Sequence, residues 1–344
     1  MSLPDRESKV RKTRIAIIGV GLAATPHALA LNDLREEVDV VGVLGRSRER
    51  LESFANLYGF PLAESLESVL GDPCVDAVLV LTPPHTHLDI ALQAAAAGKH
   101  VLLEKPLDIS TQRAERIVQA CHDANVRLGV VFQNRFRPAV QRLAGLVHSG
   151  ALGPLAYAGL DLRWWRPQSY YDEPGRGTYA RDGGGVLMTQ AIHSLDLLMW
   201  LAGDVSSVSG ATVTTTLHSM EAEDFASATL NFKSGAAGYL LATTAAFPGF
   251  PERIELAGTH GTAVLEGGAL RVFFHDGGKH EFDDPSSTGF GAKPMDFSHV
   301  AHRELIRDFC AAIRKDRAPA VVGDDGLRVQ RLIERITRGR GGDF

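Results

Sequence analysis

Short apolar runs alternate with helix-length amphipathic stretches over the first 133 residues. Residues 14–20 form a continuous apolar run closing on glycine, the mark of a strand covered on both faces. A helix is expected over 22–34, with Pro26 in its first turn, where a missing N–H costs little. The pattern then repeats. A strand is predicted over 38–44, and a helix runs from the N-cap Ser47 to Tyr58. Next come a strand over 77–81 and an alanine-rich helix over 85–97 that Gly98 stops. A strand over 100–104, a helix from Ser110 to about 124 and a strand over 127–132 complete the series. Strand alternating with helix at this spacing predicts a doubly wound parallel sheet of Rossmann type with right-handed crossovers.

After a helix over 138–149 the period changes. Apolar and polar residues alternate over 155–165, 208–217, 225–232, 237–244 and 253–274, the last broken at 258–261. Lys233-Ser234-Gly235 between two such runs is a hairpin signal. Helices are expected at 186–201 and 300–315. The fold class is therefore α/β, with an N-terminal dinucleotide-binding domain at 1–133. An α+β domain at 134–344 carries a large, open, mostly antiparallel sheet. One face of that sheet is left uncovered by its own chain, which predicts a homodimer or homotetramer built through it.

Composition narrows the function. A chain of 344 residues has room for two domains, and its 44% hydrophobic and 22% charged residues are those of an ordinary globular protein. The net charge of -5 offers no basic footprint for nucleic acid. No apolar run reaches the roughly 20 residues that span a bilayer. Residues 1–14 read as a short polar leader without a signal-peptide core. Cys74, Cys121 and Cys310 are widely spaced, as expected for buried thiols of a cytoplasmic protein with neither disulfides nor a metal site.

The first strand runs into Gly19-Val20-Gly21-Leu22-Ala23-Ala24. Gly19 allows a tight turn, Gly21 lets backbone approach a pyrophosphate, and Ala24 allows close helix–strand packing at a helix N-terminus that attracts phosphate. Leu22 lies within the same turn. The second strand ends in Leu44-Gly45-Arg46-Ser47-Arg48-Glu49-Arg50. Glycine stands where an acidic residue would hold the ribose 2′-hydroxyl of NAD, and Arg46, Ser47 and Arg50 suit the 2′-phosphate of NADP. The expected cofactor is NADP, with NAD as the alternative.

Further on stand Thr82-Pro83-Pro84-His85-Thr86-His87, then Glu104-Lys105-Pro106, then Gly183-Gly184-Gly185 followed by His193-Ser194-Leu195-Asp196. With the glycine turn, these motifs resemble the Gfo/Idh/MocA oxidoreductases over nearly the whole chain. The resemblance implies cofactor contacts from Thr82, Pro83, His87, Glu104 and Lys105, and a cis bond between Lys105 and Pro106. It implies hydride transfer between a nicotinamide and a secondary alcohol of a sugar, cyclitol, sugar acid or nucleotide sugar. Lys105 is the expected acid/base, with His193 sharing the role. Many relatives carry aspartate four residues before the histidine; this chain has Thr189, so Lys105 carries more of the proton chemistry. Helical spacing puts Thr189, His193 and Leu197 on one face. Substrate contacts are expected from Asn134, Arg163, Trp165, Tyr171, Thr189, Gln190 and His193, since aromatic faces beside arginines suit sugar rings and anions. Trp164 and Trp165 face opposite sides of a strand, so only one lines a cleft. Arg135 is a further candidate, and Asp196 reads as structural. Two alternatives stay open: an NAD-dependent glycosidase on the same fold, and a non-catalytic cofactor-binding regulator.

Overall fold

The computed structural model describes residues 11–21, 23–284 and 298–338. Leu22 and most of the expected leader lie outside the described residues, and Thr13 already opens the first strand. Strands β1 (Thr13–Ile18), β2 (Val38–Leu44), β3 (Ala77–Val80), β4 (His100–Leu103) and β5 (Leu128–Val130) alternate with helices α1 (Ala24–Asp33), α2 (Arg48–Tyr58), α3 (Leu66–Gly71), α4 (His87–Ala96) and α5 (Thr111–Asp123). The second half contains α6 (Pro138–His148), β6 (Leu155–Arg163), α7 (Gln168–Tyr171), α8 (Tyr179–Asp182) and α9 (Ile192–Ala202). Strands β7 (Val205–Val213), β8 (Phe225–Phe232), β9 (Ala237–Thr243), β10 (Arg253–Gly258), β11 (Gly261–Glu266), β12 (Ala269–Phe274) and β13 (Lys279–Asp283) follow, then α10 (Val300–Arg314) and α11 (Gly323–Arg338).

The first sheet is all parallel, in the order β2-β1-β3-β4-β5. Leu62 adds an isolated parallel bridge to Val43, a rudimentary strand outside β2. Counting it, the sheet has the six-membered order of dinucleotide-binding folds, which reverses direction between β1 and β3. Alternation along β1 divides the core. Ala16 and Ile18 face a layer containing α4 and α5, whereas Ile15 and Ile17 face α1 and α10. Helix α10 brings Leu305, Ile306, Phe309 and Cys310 to that second layer. Residues 300–314 thus return from the second half of the chain to pack on the parallel sheet.

The second sheet has eight strands in the order β13-β12-β11-β10-β6-β9-β8-β7. Among the described residues of this sheet, only the β6–β9 pair is parallel. Its buried positions, such as Ala158, Leu160 and Leu162 of β6, face α9 and join the larger core. Among the described residues one helical stretch, Tyr179–Ala202, is long and apolar enough to cross a membrane, but 83% of its apolar 18-residue window is buried, as befits a core helix. Cys121 and Cys310 are buried; Cys74 is exposed, contrary to expectation, beside Asp72, which accepts its backbone N–H.

Candidate active site at the carboxyl edge of the parallel sheet

Loops from the carboxyl ends of the parallel strands converge where ligands sit in such folds. Gly19 has φ +109°, and a Cβ there would stand 2.7 Å from the Leu81 carbonyl carbon and 2.9 Å from the Thr82 nitrogen. Only glycine seats the turn after β1 against the end of β3. Gly21 is exposed, with open space where its side chain would be. Helix α1 starts without a side-chain cap and without an acid in its first turn, so its N–H groups and positive dipole end are left to an anion. Ala24 is fully buried under that turn. After β2, Gly45, Arg46, Ser47 and Arg50 are all exposed, and Ser47 caps α2 by accepting the Arg50 N–H. This edge fits a dinucleotide: it has an uncapped helix end for a pyrophosphate, and among the described residues Arg46 and Arg50 are exposed cations after β2.

The loops after β3 and β4 are tied together by His87. One ring nitrogen lies 2.8 Å from the Thr82 carbonyl; the other lies 3.0 and 3.2 Å from the carbonyls of Pro106 and Leu107. Thr86 donates to the Thr82 hydroxyl at 2.7 Å. The Lys105–Pro106 peptide is cis. The Lys105 Nζ donates to the Thr189 carbonyl at 2.8 Å. That carbonyl belongs to a π turn, Leu187–Ala191, which precedes α9; wide turns of this kind re-aim backbone groups within a helix. The turn is anchored from below by Glu223, whose carboxylate accepts the N–H of Gly185 and of Leu187, each at 3.2 Å. A Cβ on Gly185 would lie 1.7 Å from the Glu223 carbonyl oxygen.

The electrostatics favour neutral bases. Burial lowers the Lys105 pKa from its ordinary value; Glu104 and Asp182 resist the shift, and Arg176 and Arg166 assist it. Burial, then the charge of Lys105, pushes His193 well below the usual histidine value. The His193 Nδ1 has no partner among the described residues, and its ring meets Phe132 edge-on at 5.9 Å. Beside this pair, the Thr189 hydroxyl lies within hydrogen-bond reach of two acceptors, the Gly185 carbonyl and the Gln190 side-chain oxygen. Gln190 and Arg176 both donate to the Tyr170 hydroxyl, at 3.3 and 3.0 Å. The Tyr170 ring has the Arg176 guanidinium at 4.5 Å and that of Arg166 at 5.4 Å.

Comparison with known proteins agrees with this geometry. Residues 13–132 match the model of the oxidoreductase family with an NAD-binding Rossmann fold, and residues 140–264 match the Gfo/Idh/MocA C-terminal domain. The chain is a Gfo/Idh/MocA oxidoreductase. It is an NAD-binding member of that family, whose named relatives are dehydrogenases. It is 30% identical to the WlbA dehydrogenase of Bordetella pertussis, solved with NADH and UDP-GlcNAcA, over 96% of this chain and 97% of that one, with a TM-score of 0.82. It is 27% identical to the scyllo-inositol 2-dehydrogenase (NAD(+)) of Bacillus subtilis (strain 168), covering 91% of this chain and 90% of the relative. With the D-apiose dehydrogenase of Paraburkholderia graminis it shares 26% identity, covering 94% and 87% of the two chains.

Several expected contacts of this oxidoreductase need correction. His87 is fully buried with both ring nitrogens on backbone carbonyls, so it straps two loops together rather than facing a cofactor. Tyr171 is buried with its hydroxyl on Thr244 at 2.6 Å; its neighbour Tyr170 is the one among the polar groups near Lys105. Arg163 is exposed and lies over Phe250 at 5.0 Å, while the buried Arg166 sits beside Tyr170. Arg135 is buried against Asp196 and Asp325, which leaves the half-buried Asn134 as the open member of that loop. Trp165 packs against Phe247 and His218, whereas Trp164 joins the core and underlies Arg166. The π turn also breaks the regular helical face expected to carry Thr189 and His193: the backbone of Thr189 meets Lys105, and its hydroxyl points back to Gly185.

Proposed function

We propose that this oxidoreductase oxidises a secondary alcohol of a sugar-like molecule, with Lys105 as the acid/base and His193 beside it. The observation that carries the reading is a half-buried lysine with a lowered pKa, held by a backbone carbonyl next to a neutral histidine at the sheet's carboxyl edge. A base of that kind takes the hydroxyl proton at lower pH than a free lysine, whose pKa is about 10.4. The bound nicotinamide supplies a hydride acceptor. Gly19, Gly21 and Ala24 would seat its pyrophosphate, with Thr82, Pro83 and Glu104 along the floor. Gly45 with exposed Arg46, Ser47 and Arg50 supports a preference for NADP. Gln190, Thr189, Asn134, Tyr170 and Arg176 are the substrate-facing candidates, and WlbA's UDP-GlcNAcA and the inositol of the Bacillus enzyme frame the substrate classes.

The half-buried outer face of the second sheet, with Tyr157, Tyr239 and Glu255, supports a homo-oligomer formed through it. The deciding experiment incubates the protein with inositols, aldoses, sugar acids and UDP-GlcNAcA, each with NAD and with NADP, and follows nicotinamide absorbance. Net reduced cofactor with one of them is the expected result; glycoside cleavage without net reduction, or no turnover at all, defeats it. In the same assay NADP should be favoured at least about tenfold, and Arg46→Ala should cost NADP about 1–3 kcal/mol while sparing NAD, the worth of a charge-assisted contact.

A further inference from the structure

Tyr170 of α7 is joined to Lys105 through the π turn. Lys105 holds the Thr189 carbonyl, and the next residue, Gln190, donates its amide to the Tyr170 hydroxyl at 3.3 Å. Arg176 donates to the same hydroxyl at 3.0 Å. Both nitrogens can only donate, so the phenol oxygen accepts twice and its own hydrogen points in a third direction. Lys105, Tyr170, Arg176, Thr189 and His193 are each half-buried, so the network is partly open to solvent.

The charge around this hydroxyl is positive. The Arg176 guanidinium lies 4.5 Å from the centre of the Tyr170 ring and that of Arg166 lies 5.4 Å from it. The two cations are therefore no further apart than those distances together, and both act on Lys105. Glu173 divides its single charge between Arg176 and Arg181. Arg166 is buried, with the Trp164 ring at 5.4 Å as well. Its backbone is held firmly: the N–H donates to the Thr244 carbonyl at 2.9 Å, and the carbonyl lies 2.8 Å from Nε2 of the buried His218. An aromatic face attracts a cation without neutralising it. Two guanidiniums gathered at one ring repel each other, and an anion placed against them relieves that repulsion.

We propose that the substrate is an acidic sugar whose carboxylate is bound by the Tyr170 hydroxyl, backed by Arg166 and Arg176, while its reacting hydroxyl meets Lys105. This names the substrate class within the dehydrogenase reading above and rests on it. A sugar hydroxyl could accept the phenol hydrogen, but it brings no charge to the guanidiniums. A carboxylate supplies both.

The test uses the full chain with reduced cofactor bound, and sugars matched except for the acid: D-glucuronate against D-glucose, and UDP-GlcNAcA against UDP-GlcNAc. Calorimetric binding should favour the acid in at least one pair by about tenfold or more, as for a hydrogen bond to a charged group. With oxidised cofactor, kcat/KM should show the same preference, mainly through KM. Tyr170→Phe keeps the ring and removes only the O–H, and Arg166→Gln removes the charge. Each should cut the acid-over-neutral ratio by about tenfold; the ratio cancels any change at Lys105 that both sugars share. If Arg166→Gln fails to fold, Tyr170→Phe alone decides. Both nucleotide sugars carry the diphosphate, so a preference within that pair belongs to the carboxylate. D-glucose 6-phosphate that binds more tightly than D-glucuronate would assign the anion site to phosphate and overturn the carboxylate. Equal binding within both pairs, or a preference that Tyr170→Phe retains, overturns the acidic-sugar proposal. Acid-selective binding without turnover of any of these sugars leaves the anion site standing and overturns the dehydrogenase reading; equal turnover of acid and neutral sugars does the reverse.

Discussion

Lys105 is the residue whose state the rest of the site controls. Its side chain is half-buried and fixed to the Thr189 carbonyl, and the charges of Arg166 and Arg176 lower its pKa while those of Glu104 and Asp182 raise it. Lys105→Met should lower kcat by about 10²–10⁴ with cofactor affinity retained, as measured by titration with the reduced nicotinamide cofactor and by initial rates. The pH dependence has a definite sign. Because the folded pKa is lowered, the neutral base appears at lower pH than for a free amine, so kcat/KM for alcohol oxidation rises with pH and levels off before about 10.4. Arg176 depresses that pKa, so Arg176→Gln should move the rising limb to higher pH. A limb that moves down, or stays, would show that another group sets it.

At the scale of elements, the weight falls on a buried ion cluster. The Arg135 guanidinium, in the turn after β5, donates to both Asp196 oxygens of α9 at 2.8 and 2.5 Å and to Asp325 of α11 at 3.2 Å. Arg135→Met strands the buried Asp196 carboxylate, whereas Asp325 keeps Arg328 and the Val322 N–H, so unfolding in urea should show a loss of about 3–5 kcal/mol. That deficit should shrink as pH falls and the stranded carboxylate takes up a proton. The sequence announced every parallel strand and the caps of α2 and α5, because those signals are local: Ser47 and Ser110 each accept an N–H three residues on. It did not announce α11, whose glycine-and-acid start, Gly323-Asp324-Asp325-Gly326, reads as a turn until packing against Leu107 and Leu128 makes it a helix. Nor did it show β13, a polar edge strand, or the π turn, which depends on Glu223 from a distant segment. Among site residues, Lys105 and His193 were legible from motifs, whereas the choice of Tyr170 over Tyr171 and of Arg166 over Arg163 is decided by which way a loop turns. Burial in three dimensions settles that; alternation along the chain does not.

For the whole molecule, the return of α10 to the parallel sheet makes its stability depend on histidines that sit neutral in the folded state. Burial lowers the pKa of His87, with the carbonyl of Thr82 and the charge of Asp108 opposing it. His193 and His302 are pushed well below the ordinary value, again first by burial. These three come from α4, α9 and α10, so they report on both sheets and on the helix that joins them. The unfolded chain binds protons on the same side chains as pH falls through about 6.5, whereas the folded chain does not until the pH is lower. Their contribution is therefore fully present above about 6.5 and is lost as pH falls toward the folded values. Melting followed by circular dichroism should show Tm constant near neutral pH and dropping between about pH 6.5 and 5. His302→Leu removes one of the three proton acceptors, so the drop should become shallower even where the substitution costs stability at pH 8. A drop of unchanged steepness would mean that His302 already carries a proton in the folded protein at neutral pH, which its contact with the Glu104–His27 pair would then have to stabilise.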